Sequence, residues 1–183
     1  FFVDPADAIC LNNSRQLNAG GGDTYNWTPA STLNNASLPN PTATPVNTTQ
    51  YTVIISDTVC HTSATLNTTV IVNNLPTVTA SKSNDIDCAN DISTLNASGA
   101  LSYNWIPGTG LSNPSVSNPT ASPTDSTRYI VTGTDINGCT NKDSVTVNVS
   151  TTGKSQYLMP TAFTPNGDGI NDCYGIKYWG AIR

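Results

Sequence analysis

The chain repeats itself. Cys10, Trp27, Tyr51 and Cys60 return as Cys88, Trp105, Tyr129 and Cys139, the first three at an offset of 78 residues and the last at 79. Smaller features hold the same register. Leu17-Asn18-Ala19 matches Leu95-Asn96-Ala97, Tyr25-Asn26-Trp27 matches Tyr103-Asn104-Trp105, and Asn40-Pro41-Thr42-Ala43 matches Asn118-Pro119-Thr120-Ala121. Asp7 and Asp57 match Asp85 and Asp135. One structural solution must therefore serve twice, which constrains the fold more than any single motif. The expected organisation is a first repeat over 1–75, a second over 76–150, and a separate segment over 151–183. Residues 1–6 read as the tail of a preceding repeat, and the whole as a piece of something longer.

Composition fixes the class of each repeat. Thr (28), Asn (22) and Ser (18) make up over a third of the 183 residues, and all 12 acids are Asp. Good helix formers are scarce, while β-branched and turn-forming residues abound. Tyr51-Thr52-Val53-Ile54-Ile55 and Tyr129-Ile130-Val131-Thr132 alternate as strands do. Thr68 to Val72 and Ser144 to Val149 read as the strands that close each repeat. Asn137-Gly138 is a strong hairpin signal. Six or seven short strands around one central Trp predict an all-β fold of tandem immunoglobulin-like sandwiches, with Trp27, Tyr51, Trp105 and Tyr129 in the cores.

Two cysteines per repeat at matched places predict the bridges Cys10–Cys60 and Cys88–Cys139. Each closes a loop worth about 4 kcal/mol in the chain-entropy model. Paired cysteines place a protein outside the cytoplasm. Cys173 is the odd one.

Residues 159–174 read Met-Pro-Thr-Ala-Phe-Thr-Pro-Asn-Gly-Asp-Gly-Ile-Asn-Asp-Cys-Tyr. This resembles the opening of the gliding-motility-associated C-terminal domain, the type B sorting signal of the type IX secretion system in Bacteroidota. The repeats resemble the PKD/Ig-like modules that precede that domain in SprB-type surface adhesins. The resemblance implies export across the outer membrane and display on the cell surface or release. Its implied partners are the secretion machinery, surface-anchoring components and neighbouring repeats of the same chain. It also implies O-linked glycosylation at Asp-Ser/Thr sites, which here are Thr58, Ser126 and Ser144.

The chemistry is sparse. His61 is the only His and has no counterpart in the second repeat. Without Glu, the usual carboxylate pair of a glycosidase lacks its commonest member. Net charge is -5, with seven Lys and Arg scattered singly, so no basic footprint for nucleic acid exists. No apolar run reaches the roughly 20 residues that span a bilayer. Calcium is the one candidate ligand: Asn166, Asp168, Asn171 and Asp172 alternate oxygen side chains with Gly. The same residues also suit a compact turn whose Asx side chains bond their own backbone. Asp7 with Asp85 and Asp57 with Asp135 read either as calcium ligands near the junctions or as turn caps.

The expected function is non-enzymatic: a structural segment of a large secreted adhesin or surface fibre that spaces a binding tip from the cell. The alternative is an accessory stalk, or sugar-binding repeats facing a surface polysaccharide, on a secreted enzyme whose catalytic domain lies upstream. A third reading has the repeats polymerise by sharing strands.

Overall fold

The computed structural model describes residues 1–87 and 89–150. Among them there is no helix. The first fifteen-residue stretch is already strand and turn: β1 (Phe2–Val3), β2 (Ile9–Cys10) and β3 (Arg15–Gln16). There follow β4 (Ala19–Gly20), β5 (Thr24–Thr28), β6 (Thr42–Ala43), β7 (Thr49–Asp57), β8 (Thr62–Val70) and β9 (Val72–Asn73). The later part holds β10 (Thr79–Lys82), β11 (Ser93–Ser98), β12 (Ser102–Ile106), β13 (Thr120–Ala121), β14 (Thr127–Thr134) and β15 (Thr140–Val147).

The strand order is that of an immunoglobulin-like sandwich, twice. In the first, β5, β7 and β8 form one antiparallel sheet. Opposite it, β1 pairs β4 and β3 pairs β6. β2 crosses over to run parallel to β9. In the second, β12-β14-β15 faces β10-β11-β13, and a parallel bridge from Ile86 to Val149 repeats the crossover. The chain is all-β, and each sandwich presents alternate side chains inward, as period-2 strands must.

Two hydrophobic cores result, with no shared member. Trp27, Tyr51, Val53, Ile55 and Val70 centre the first; Trp105, Tyr129, Val131, Leu95 and Val147 centre the second. The buried polar atoms of the aromatics have partners. Trp27 Nε1 donates to the carbonyl of Leu38 at 2.9 Å, and Trp105 Nε1 to that of Val116 at 3.0 Å. The Tyr51 hydroxyl lies 2.6 Å from that of Thr32, while Tyr129 donates to the carbonyl of Thr109 at 3.2 Å. Each aromatic thus ties the mid-repeat loop, too rich in Pro and Asn for a long strand, onto the core.

One carboxylate ties the second sandwich's first strand to its last. Asp85 is bonded to the Lys82 ammonium and accepts the backbone N–H of Asn148 at 2.8 Å. These bonds, that from Lys82 first, hold its pKa down at about 2. A carboxyl depressed on folding stabilises the native state above its unfolded pKa, and that stability is lost as pH falls through the folded value. Acid titration of the second core is therefore expected to show a loss between about pH 4 and pH 2 that Asp85→Asn removes. An unchanged acid profile in the variant would show that Asp85 carries none of it.

Candidate functional site

The cysteines do not pair within repeats. Cys10 is bonded to Cys139, with Cα atoms 5.5 Å apart and 129 residues between them in sequence. Cys60 is free and exposed. The expected Cys10–Cys60 bridge is overturned, and Cys139 is not available to Cys88, which lies outside the described residues. The reason is the length of a strand. Cys10 on β2 sits beside Asn73 of β9, at the end of the sandwich where the chain leaves. Cys60 lies in the turn between β7 and β8, at the other end. The nine residues of β8 separate these ends by about 30 Å, far beyond the roughly 7 Å that a disulfide tolerates between Cα atoms.

The bond instead crosses the junction between the sandwiches. Cys139 follows the hairpin turn between β14 and β15 and is fully buried. Asp135 builds that turn: its Oδ1 accepts the N–H groups of Asn137 and Cys139, each at 2.8 Å. Gly138 supplies the positive φ of 79° that ends it. The first sandwich has the same device. Asp57 Oδ1 accepts the N–H of Val59 at 2.9 Å and of Cys60 at 2.8 Å. These bonds, that from Cys60 first, lower the Asp57 pKa. There His61 takes the positive φ, at 51°. Strand pairing closes with Asp57 opposite Thr62 and with Thr134 opposite Thr140, so Cys60 stands inside a four-residue turn whereas Cys139 ends a five-residue one, next to β15.

The backbone link is packed as well as bonded. Asn141 Nδ2 donates to the carbonyl of Pro76 at 3.0 Å. Val78 is buried in the second core. Its side chain occupies the space left by Gly133, where an added Cβ would stand 2.6 Å from it; the first sandwich has Ile55 at that register. Gly99 holds the link from the other side, with φ 91° and an imagined Cβ only 1.8 Å from the carbonyl oxygen of Thr77. Gly99→Ala is expected to lower the stability of the second sandwich by at least about 2 kcal/mol, through strain and displacement of the link. Urea denaturation followed by Trp105 fluorescence reads this; a shift within about 0.5 kcal/mol would mean that the link yields freely.

The remaining expected sites scatter. Asn166, Asp168, Asn171 and Asp172, and Cys173, lie outside the described residues. Asp7 pairs with Arg15 at 2.7 Å, whereas Asp57 and Asp135 cap their hairpins. Among the described residues no three metal-ligating side chains gather in one place. Thr58 is exposed on the first hairpin and bonded to Asp23. Ser126 is exposed and its Oγ accepts the N–H of Val149 at 2.9 Å. The Ser144 Oγ, half-buried, accepts from Arg128 Nη2 at 2.8 Å. His61 is exposed and its Nδ1 lies 3.2 Å from the carbonyl of Val59.

No family model matches the chain, and no curated protein matches it. Among solved structures, it is similar to the C-terminal 282-residue fragment of intimin in complex with the intimin-binding domain of the translocated intimin receptor. There identity is 14%, the TM-score 0.43, and coverage 80% of this chain and 62% of that one. For the titin I-band fragment I67–I69 the values are 12%, 0.39, 81% and 65%. For the fibronectin(III)-like modules of Clostridium thermocellum CbhA they are 11%, 0.38, 81% and 93%. The fold assignment stands on the chain's own strand order.

Proposed function

We propose that the chain is a non-enzymatic structural segment of a large secreted surface adhesin or fibre, a run of sandwiches that holds a binding tip away from the cell. The observation that carries this is the Cys10–Cys139 bond. It joins one sandwich to the next. A covalent staple between successive sandwiches is what a load-bearing series needs. A structural disulfide also belongs to an oxidising compartment, which supports an extracellular location. The motif from Pro160 to Asp172 supports export by the type IX route, with the secretion machinery and surface-anchoring components as partners. Calcium at Asn166 to Asp172 and glycans at Thr58, Ser126 and Ser144 belong to the same proposal.

Electron microscopy of the parent protein on intact cells, labelled with an antibody against this segment, tests the reading. Filaments decorated at a regular axial interval are the expected result. Label confined to a compact particle, or to the cell interior, would overturn it.

A further inference from the structure

We propose that the second sandwich carries a recognition cleft of its own, which takes an arginine side chain of a protein partner, flanked there by an aliphatic residue. This goes beyond a shaft role. The cleft lies at the end of β12 away from the junction, between the loop after that strand and the loop that leads into β14. Its volume is about 510 Å³. Pro107 and Pro123 give it ring faces, Thr109, Ser122 and Thr124 give hydroxyls, and Asp125 gives a carboxylate.

The first sandwich shows what the fold requires at each of these places. At the 78-residue offset, Asp125 replaces Asn47, Gly110 replaces Thr32, and Ile106 and Ile130 replace Thr28 and Thr52. The Thr32 hydroxyl meets that of Tyr51. Gly110 places no side chain over the Tyr129 hydroxyl, from which an added Cβ would stand 3.1 Å. Ile106 and Ile130 are opposite one another on the outer face of β12 and β14, and are 58% and 39% exposed. Opposite side chains of paired strands touch, so the two form one apolar strip. Ile106 runs directly into Pro107 at the cleft. The same fold is built with Thr at both strip positions and Asn at the third, so packing does not demand an apolar strip beside a carboxylate.

The lining selects the occupant. A guanidinium carries five N–H donors and no acceptor, and it meets a carboxylate through two parallel bonds. Among the described residues Asp125 has no ion pair, and its carboxylate is bonded to the Thr124 hydroxyl at 3.2 Å. Arg128, three residues on, turns to Ser144 Oγ instead, at 3.1 and 2.8 Å. The stem of an entering arginine lies on the proline rings, and the flanking aliphatic residue on Ile106 and Ile130. The chain's net charge of -5 favours a cationic visitor. A sugar gains most from a flat aromatic face, and here Trp105 and Tyr129 are buried.

The test titrates the isotope-labelled full chain with three probes and follows amide chemical shifts. The probes are the end-blocked peptide Leu-Arg-Leu, its counterpart with neutral citrulline in place of arginine, and methyl glucoside. Expected with the arginine peptide are saturable shifts confined to residues 106–110 and 122–130, weakened by added salt. Affinity should fall about tenfold for the citrulline peptide and about tenfold in Asp125→Asn. Ile106→Thr combined with Ile130→Thr should weaken the arginine peptide as well. Each substitution installs the residue that the first sandwich carries at that register, and the Trp105 fluorescence transition checks that the fold is kept. The citrulline comparison uses the wild type alone, so it decides even where a variant fails to fold. No saturable shift, equal affinity for the citrulline peptide, undiminished binding by folded Asp125→Asn, or shifts spread over both sandwiches would each overturn the proposal. Methyl glucoside seated in the cleft would overturn it too. Every one of these results leaves the surface segment standing, since imaging on cells tests that separately.

Discussion

Trp27→Ala is expected to unfold the first sandwich and leave the second intact. Trp27 is fully buried, and its indole N–H holds the loop at Leu38. Truncating a buried Trp costs about 3–5 kcal/mol, and the Leu38 carbonyl loses its partner besides. A sandwich of this size has only about 4–11 kcal/mol of net stability, so the loss removes much or all of it. The second core shares no residue with the first. Urea denaturation in reductant, where the Cys10–Cys139 bond no longer couples the two sandwiches, followed by tryptophan fluorescence and by far-ultraviolet circular dichroism, should show one transition lost or displaced and one held within about 0.5 kcal/mol. Equal displacement of both would show that the two cores unfold as one.

The second large effect belongs to Cys139→Ser. The bond closes a loop of 129 residues, for which the chain-entropy model gives about 5 kcal/mol against the fully unfolded chain. With the first sandwich folded, Cys10 is held beside Asn73, and the loop that matters runs from there to Cys139. Its closure is worth about 4 kcal/mol to the second sandwich. The variant also places a hydroxyl in a fully buried site. Its second transition should fall by 2–5 kcal/mol, and wild type in reductant should fall nearly as far. A fall in the variant but not in the reduced wild type would assign the loss to the buried hydroxyl.

The sandwiches were legible because their determinants are local or periodic. Alternation through Tyr51, Val53 and Ile55 announces a strand with one face inward, and the Trp and Tyr recur at one register. The cysteine pairing was not, and the repeat itself is why. When every unit carries the same two cysteines, pairing within a unit and pairing from each unit to the next generate the same spacings. Only the position of each cysteine along the sandwich separates them. Part of that was readable: Asn137-Gly138 makes a hairpin, so Cys139 beside it lies at an end and not between the sheets. The companion fact, that Cys10 lies at the opposite end, depends on β2 crossing over to run parallel to β9. Two residues of strand give no periodic signal for that. The Asp57 and Asp135 caps were legible as one of two readings, because an Asx side chain ahead of a turn has its own backbone within reach.

The junction has a mechanical consequence. A domain attached to its neighbour by one strand of polypeptide can spin about that strand, since single bonds in the link turn freely. Here two covalent paths run side by side, the backbone through Pro76 and the sulfur bridge from Cys10 to Cys139. Spinning one sandwich against the other would wind these paths around each other. The pair therefore transmits torque. A rotation imposed at one end reaches the other, and the faces of the two sandwiches keep a fixed azimuth.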